Sequence, residues 1–191
     1  MKDLLAMVTI MVWPVVPLFW IPVHGLSRFF KRIGILTYLL PSITWPPIAF
    51  FIYQNRDFFL QFKLDFPVII NIIGIILLII GTILHIWTGK LLGLFGLMGL
   101  PEISKKKEGR LITEEIFSFV RHPTYLAHTI LFTGIFLYTE VLFVGILTIT
   151  DLIIVNILII PLEEKELLGR FGEAYNEYKK KVKWRFIPKI I

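Results

Sequence analysis

The sequence predicts an all-α integral membrane protein with about five transmembrane helices, a C-terminal helical hairpin and an amphipathic C-terminal helix. Hydrophobic residues make up 56% of the 191 residues and charged residues only 18%. The mean hydropathy is +0.77, which is too apolar for a soluble domain. Apolar runs recur at membrane-spanning length, and the segments between them are alternately rich and poor in basic residues. We interpret residues 1–191 as one membrane domain, with N-terminal spans in 1–88 and a functional core in 89–191.

Three long apolar runs in the N-terminal half predict three membrane spans. Residues 4–23, 33–53 and 66–87 contain no Asp, Glu, Lys or Arg. At a rise of 1.5 Å per residue, about twenty helical residues cross a hydrocarbon core of roughly 30 Å. The first run is longer than the apolar core of a signal peptide and contains three prolines. We therefore expect it to be retained as a kinked span.

The C-terminal half predicts two shorter spans and a surface helix. Residues 124–161 form an apolar block that is too long for one helix, and we predict a hairpin that turns near Thr139 and Glu140. Residues 91–100 are apolar but few, and they include three glycines. We expect this segment to lie in the membrane interface or to dip into the membrane. From residue 162 to 182, apolar residues recur at helical spacing, and charged residues such as Lys165, Arg170 and Glu173 lie on the opposite, polar side. This pattern predicts one amphipathic helix on the cytoplasmic surface of the membrane.

The distribution of basic residues predicts the orientation in the membrane. Seventeen of the twenty Lys and Arg residues lie in alternate connecting segments, and three lie in the others. By the positive-inside rule, the N-terminus lies outside and the C-terminus faces the cytoplasm. Because the basic residues lie beside membrane spans, the expected partners are membrane lipids and not nucleic acid. The sequence indicates no obligate protein partner.

The composition excludes several kinds of chemistry. The chain contains no cysteine, which excludes disulfides, iron–sulfur clusters, thiolate zinc sites and a cysteine nucleophile. Its four histidines lack the spacing of metal ligands. We therefore expect no metal site.

A polar segment at a membrane edge is the strongest candidate for a functional site. Residues 109–125 carry several charges next to a predicted span, where charged side chains are costly and usually functional. Arg121 and His122 offer hydrogen-bond donors to an anion, and Tyr125 offers a ring and a hydroxyl group. Pro123 suits the first turn of the helix that follows.

Asp151 lies near the middle of the predicted second hairpin helix. An ionised carboxylate at that depth is costly unless it is paired or faces a cavity. A turn near Glu140 brings His128 level with Asp151 on the opposite helix. Two interpretations stay open: a hydrogen bond that joins the hairpin, or a proton acceptor or substrate contact.

Six short motifs follow one another across residues 109–188. They are, in order, Leu111-Ile112-Thr113, Phe117, residues 121–125 (RHPTY), Glu163-Glu164 with Leu167, Phe171-Gly172 with Tyr175 and Tyr178, and residues 185–188 (RFIP). In order and spacing they resemble the integral membrane methyltransferases of the isoprenylcysteine carboxyl methyltransferase and phospholipid methyltransferase group.

The resemblance implies methyl transfer from S-adenosylmethionine to a lipidic or amphipathic acceptor, with the active site at the cytoplasmic face. The residues implied to bind this cofactor match the group's motifs: Leu111, Ile112, Phe117, His122, Pro123, Thr124, Tyr125, Glu163 and Glu164. We predict that Arg121 and Asp151 are catalytic. A pocket that contains Glu163 together with His122 or Arg121 matches the cationic and anionic ends of the cofactor.

The sequence departs from the group's pattern at several positions. Glu115 and Ala127 stand where the pattern usually has glycine. Ile159 stands where isoprenylcysteine carboxyl methyltransferases have an arginine suited to the substrate carboxylate, which argues against a prenylcysteine acceptor. Two other functions stay open: an NADPH-dependent membrane reductase of the sterol type, and a non-enzymatic lipid-binding protein. The acceptor is open among a phospholipid amine, a thiol, an amphipathic carboxylate and an isoprenoid or quinone-like lipid.

Overall fold

The computed structural model describes residues 1–104 and 109–186. These residues form helices and contain no β-strand, which confirms the all-α prediction. Their α-helices are α1 (Lys2–Val12), α2 (Val15–Gly25), α3 (Ser27–Ile33), α4 (Leu39–Gln54), α5 (Arg56–Leu60), α6 (Val68–Leu97), α7 (Leu100–Ile103), α8 (Pro123–Thr139), α9 (Leu142–Ile154), α10 (Ile160–Phe171) and α11 (Glu173–Lys181). The last two residues of the predicted 185–188 motif lie outside the described ranges.

Four helical stretches in the described ranges are long and apolar enough to cross a membrane. They are Lys2–Gly25, Ser27–Gln54, Val68–Ile103 and Leu142–Phe171. They correspond to the three predicted N-terminal spans and the second arm of the predicted hairpin. The first arm, α8, has 17 residues, about 26 Å at helical rise, and packs along α6. The total of five spans therefore stays a prediction.

The predicted hairpin turn lies at Glu140, as expected. Helix α8 ends at Thr139, Glu140 adopts a left-handed conformation with φ 65°, and α9 begins at Leu142. The Glu140 carboxylate accepts hydrogen bonds from Lys2 (2.8 Å) and from the side-chain amide of Asn71 (2.9 Å). These two hydrogen bonds lower the pKa of Glu140. They also bring the N-terminus, the start of α6 and the hairpin turn to one end of the protein.

Glycines allow α6 and α8 to approach each other closely. A Cβ atom added at Gly134 would lie 2.6 Å from the backbone nitrogen of Leu78 and 2.8 Å from the backbone oxygen of Gly74. On α6, a Cβ atom at Gly81 would lie 2.7 Å from the backbone nitrogen of Leu131. Small residues at such crossings are typical of packed membrane helices. Helix α6 therefore fixes the position of α8. The first turn of α8 belongs to the motif at residues 121–125, which we call the Arg-His-Pro motif.

The prediction of one amphipathic helix over residues 162–182 is wrong. Gly172 adopts φ 55° and ψ −126°, a backbone conformation that favours glycine, and it separates α10 from α11. Tyr175 and Tyr178 of α11 are buried, as their apolar spacing indicated. Arg170, which was expected on the exposed charged side, has a buried side chain that forms ion pairs with carboxylates.

Two irregular segments set the directions of the helices around the candidate site. The apolar segment 91–100 continues α6 as far as Leu97, with a non-helical kink at Gly93 (φ 69°, ψ 168°). Between α9 and α10, Val155–Ile159 forms a turn of π-helix, a feature often found near functional sites. This turn is followed directly by α10, whose first turn carries Glu163.

Candidate active site

Two adjoining cavities lie beside α6 and α10. The larger is also bordered by α7, the loop that carries Phe117, and α11, and the smaller by α2 and α8. One has a volume of about 570 Å³ and the other about 270 Å³. The residues that line both cavities, and so form their common wall, are Leu92, Gly96, Glu102, Phe117, Arg121 and Glu163. The two cavities therefore meet at one polar cluster.

The larger cavity contains the first predicted motif. Leu111, Ile112 and Phe117 line it, together with residues of α10 and α11 that include Tyr175 and Tyr178. The Tyr178 hydroxyl donates a hydrogen bond to the backbone carbonyl of Phe117 at 2.7 Å, which ties this loop to α11. Burial raises the pKa of both tyrosines, so they stay neutral. Because the helix breaks at Gly172, α11 changes direction and its tyrosines cover the cavity.

The smaller cavity extends among the membrane-spanning helices. Trp20 of α2, His85 of α6 and His128 of α8 line it. The predicted residues His122, Thr124 and Tyr125 line it as well. The ring centroids of His85 and His128 lie 5.7 Å apart. Of the two cavities, this smaller one therefore reaches the interior of the helix bundle.

His122 is buried between the two predicted glutamates. Its Nδ1 lies 3.4 Å from Oε2 of Glu163, and its Nε2 lies 3.4 Å from Oε1 of Glu164. Burial alone lowers the pKa of His122, but the negative charges of the two glutamates outweigh burial and raise it above its ordinary value. The two glutamates therefore favour the protonated form of His122, which contacts both carboxylates.

Glu164 joins the Arg-His-Pro motif to the C-terminal segment. Its carboxylate accepts hydrogen bonds from Nε of Arg121 (2.9 Å) and from Lys179 (3.2 Å). The Arg121 guanidinium also donates to the backbone carbonyls of Val182 (2.7 Å) and Lys183 (2.8 Å). Glu164 lines neither cavity, so its visible role is to hold this segment in place.

Backbone hydrogen bonds join residues 121–122 to residues 184–185, which include the start of the last motif in the sequence (185–188). The amide of Arg121 donates to the carbonyl of Trp184 at 2.9 Å, and the amide of His122 donates to the carbonyl of Arg185 at 3.0 Å. The next side chain, Phe186, is fully buried in the apolar cluster of the π-helical turn. Residues 182–186 therefore lie across the Arg-His-Pro motif, and we call this segment the C-terminal strap.

Buried polar atoms without a hydrogen-bond partner among the described residues occur on both cavity walls, among them Oε2 of Glu102, the hydroxyl of Tyr175 and Nε2 of His128. Oε2 of Glu163 has only the 3.4 Å ion-pair contact with His122. The other oxygen of Glu102 forms an ion pair with Arg170 at 3.0 Å. Unpaired buried acceptors are costly. They therefore favour a ligand that presents hydrogen-bond donors or positive charge to this wall.

Asp151 and Pro123 line neither cavity. Pro123 is buried at the start of α8. Asp151 accepts a hydrogen bond from the indole nitrogen of Trp13 at 2.7 Å, and its Oδ1 lies 3.9 Å from Nε2 of His128. The predicted proximity of Asp151 and His128 is correct, and the structure adds Trp13 as the hydrogen-bonding partner.

Sequence reasoning missed several residues of the site. Glu102 and Arg170 form a buried ion pair on the wall of the larger cavity, and Trp20 and His85 line the smaller one. Glu102 carried a usable signal, because it is an acid within an otherwise apolar stretch. Arg170 carried none, because its spacing placed it with the solvent-exposed charges.

Helices of membrane-spanning length thus surround cavities lined by the motifs that predicted a membrane methyltransferase. The sequence model of the phospholipid methyltransferase family matches residues 69–174, more than half of the chain. The chain belongs to this family, which confirms the resemblance inferred from its motifs. No curated protein and no solved structure matches the chain significantly.

Proposed function

We propose that this protein transfers a methyl group from S-adenosylmethionine to a lipidic or amphipathic acceptor in the membrane. The observation that carries the proposal is the pair of cavities with a common wall of Glu102, Arg121 and Glu163. One cavity is lined by the motifs that resemble a cofactor site, and the other lies among apolar helices. A donor and an acceptor held in these two cavities would meet at the common wall.

The residues of the larger cavity fit the chemical groups of S-adenosylmethionine. The carboxylates of Glu102 and Glu163, each with an oxygen that accepts no hydrogen bond from the described residues, suit its amine and sulfonium cations. Arg110, which also lines the cavity, suits its carboxylate, and the rings of Phe117 and Phe171 suit its adenine. When bound, this cofactor supplies a methyl group that is already activated for transfer.

The protein's own contribution is then to position the reactants and exclude water. His122 holds the Glu163 carboxylate at the common wall. Arg121 lines both cavities while its guanidinium is fixed by Glu164 and by the C-terminal strap. In this proposal Arg121 contacts the reactants directly, and Glu164 acts through Arg121 as a positioning residue.

The smaller cavity favours an acceptor that is neutral or readily deprotonated. Ile159, which stands where a carboxylate-binding arginine is expected, is fully buried in an apolar cluster and lines neither cavity. The Nε2 atom of His128 has no hydrogen-bond partner among the described residues. We infer that Nε2 of His128 accepts a proton from the acceptor. The Asp151 carboxylate, whose Oδ1 lies 3.9 Å from the same nitrogen, then stabilises the imidazolium cation that forms. Asp151 therefore keeps a role in the reaction, but through His128.

Calorimetry on the purified protein in detergent micelles tests cofactor binding. We expect binding of S-adenosylmethionine and no binding of NADPH. Replacement of Glu163 or His122 by alanine should each weaken binding by about 1–3 kcal/mol, because a buried partner is left unsatisfied. As the control, replacement of the exposed Glu177 on α11 by alanine should leave cofactor binding unchanged. If the wild-type protein binds NADPH alone, it is a reductase, and if it binds neither compound, the enzyme proposal is wrong.

Incubation with a radiolabelled methyl donor tests the acceptor. A native lipid extract and a prenylcysteine analogue are offered together. We expect label in the lipid fraction and little on the analogue, because the arginine expected at Ile159 is missing and the Arg121 guanidinium is already bound by Glu164 and the Val182 carbonyl. Efficient labelling of the analogue alone, as a base-labile ester, would contradict the proposed acceptor class and leave the methyltransferase activity standing.

A further inference from the structure

A third cavity of about 710 Å³ lies on a different face of α10. It is lined by Leu162, Lys165, Glu166 and Gly169 of this helix, which share one face at helical spacing. The larger cavity of the active site is lined instead by other α10 residues, among them Glu163, Leu167 and Arg170. The body of α10 therefore separates the third cavity from the larger cavity of the active site.

The charges around the third cavity favour an anion. Arg28, Lys31 and Lys165 line it, against the single carboxylate of Glu166. Glu166 is already neutralised, because it forms ion pairs with Lys31 (2.9 Å) and with Arg170 (3.1 Å). Arg28 and Lys165 form no ion pair with the described residues. Two positive charges at the cavity are thus uncompensated.

A buried histidine on the cavity wall also lacks a partner. His24 is 5% exposed, and neither of its ring nitrogens has a hydrogen-bond partner among the described residues. Its ring stacks on Trp20, with a centroid separation of 5.1 Å, so its orientation is fixed. A neutral imidazole has one N–H donor, and leaving that donor unpaired is costly. A ligand with acceptor oxygens would satisfy it.

Apolar side chains at the same cavity indicate where such an anion comes from. Leu26 and Phe29 line the cavity and are 59% and 55% exposed. They follow directly on the apolar stretch Lys2–Gly25, which is long enough to span the membrane. Cations beside exposed apolar groups at the end of a span suit a lipid, with phosphate on the cations and acyl chains on the apolar groups.

We propose that this third cavity binds the phosphate group of a membrane phospholipid, at a site separate from the one for methyl transfer. Because the third cavity shares no lining residue with either cavity of the active site, we infer that the bound lipid is not the methyl acceptor. Arg28 and Lys165 contact the phosphate, and His24 donates to one of its oxygens. Leu26 and Phe29 contact the acyl chains.

Thermal unfolding of the purified protein in dodecyl maltoside micelles tests the site. Dioleoylphosphatidylglycerol, dioleoylglycerol without phosphate, and inorganic phosphate are each added in a separate arm. We expect the phospholipid to raise the Tm clearly and the other two compounds to raise it much less. An equal shift from inorganic phosphate would show a free-anion site, and an equal shift from dioleoylglycerol would show apolar adsorption only. Either result overturns the proposal.

The Arg28→Gln, Lys165→Gln double variant removes the uncompensated charges without stranding Glu166. It should lose at least half of the phospholipid-dependent Tm shift. The control is the Arg32→Gln, Lys181→Gln double variant, which removes the same charge from exposed positions that do not line the cavity. If both double variants lose the shift equally, the effect is general electrostatic attraction and the proposal is wrong.

A steric variant tests the cavity independently of charge. A Cβ atom at Gly169 has no other atom within 4 Å, so the Gly169→Leu side chain enters the cavity without a clash at its base. Leucine also favours the helix over glycine, so the variant should fold. We expect the lipid-dependent Tm shift to be lost in Gly169→Leu and kept in Leu168→Phe, which adds bulk at the next position outside the cavity. A shift retained in Gly169→Leu contradicts the proposal. The measurement uses neither cofactor nor acceptor, so its result is independent of the proposed methyl transfer.

Discussion

Replacement of Glu164 by glutamine is expected to destabilise the folded protein strongly, although Glu164 lines neither cavity. The Glu164 side chain is 6% exposed and the Arg121 side chain 8% exposed, and their Oε1 and Nε atoms are 2.9 Å apart. The variant leaves the Arg121 guanidinium buried and without its carboxylate. It also removes the carboxylate that His122 contacts at 3.4 Å.

The magnitude follows from the burial of the pair. Breaking a buried ion pair by removing one partner typically costs about 3–5 kcal/mol, because the remaining charge is uncompensated. A glutamine side chain retains one acceptor oxygen, so we expect a loss near the lower limit, about 3 kcal/mol in the free energy of unfolding. Lys179 contacts the same carboxylate at 3.2 Å, but its side chain is 38% exposed. The Lys179→Gln variant should therefore cost less than about 1 kcal/mol.

Reversible unfolding in mixed micelles of increasing dodecyl sulfate fraction, followed by circular dichroism, measures both variants. The Arg121→Gln, Glu164→Gln double variant should cost clearly less than the sum of the two single variants, because it removes both charges. Limited proteolysis should also cleave the strap after residue 182 faster in Glu164→Gln. If Glu164→Gln costs no more than Lys179→Gln, the pair does not hold the C-terminal segment and the argument fails.

Three further predictions concern packing, topology and pH. Gly134→Val should destabilise the protein by about 1–3 kcal/mol or prevent folding, because the added atoms meet the backbone of α6; in the same micelle unfolding assay, Gly169→Ala should be neutral. Single cysteines at Asp57 and Lys181, in a chain without native thiols, should react with an impermeant reagent from opposite sides of oriented vesicles; labelling from the same side would refute the five-span topology. The pKa of His122 is raised in the folded state, so its stabilising charge is fully present below about pH 6.5, its unfolded pKa, and is lost as the pH rises through the higher folded pKa. The free energy of unfolding should fall over that range in the wild-type protein and much less in His122→Asn, and an identical pH dependence in both would contradict this.

The sequence by itself determined the membrane class, the approximate spans, the turn at Glu140 and the order of the motifs. Spans follow from local composition, because the thickness of the hydrocarbon core sets one length that apolar runs must match. The turn at Glu140 follows from the same membrane thickness, because the apolar block 124–161 is too long for one membrane-spanning helix and must contain two. The motif residues were found by their spacing, and Leu111, Phe117 and Tyr125 line one or other of the two cavities. Their role in cofactor binding stays a prediction.

The tertiary structure alone decided which charged residues are buried together. Periodicity placed Arg170 among the exposed charges, but α7 covers that face and pairs Arg170 with Glu102. The strap pairs Arg121 with Trp184, 63 positions along the chain, and no local pattern records such a contact. The break at Gly172 depends on a backbone dihedral that only packing selects. Local composition determines how deep a helix lies in the membrane, whereas the burial of each of its faces depends on neighbours that are distant in sequence.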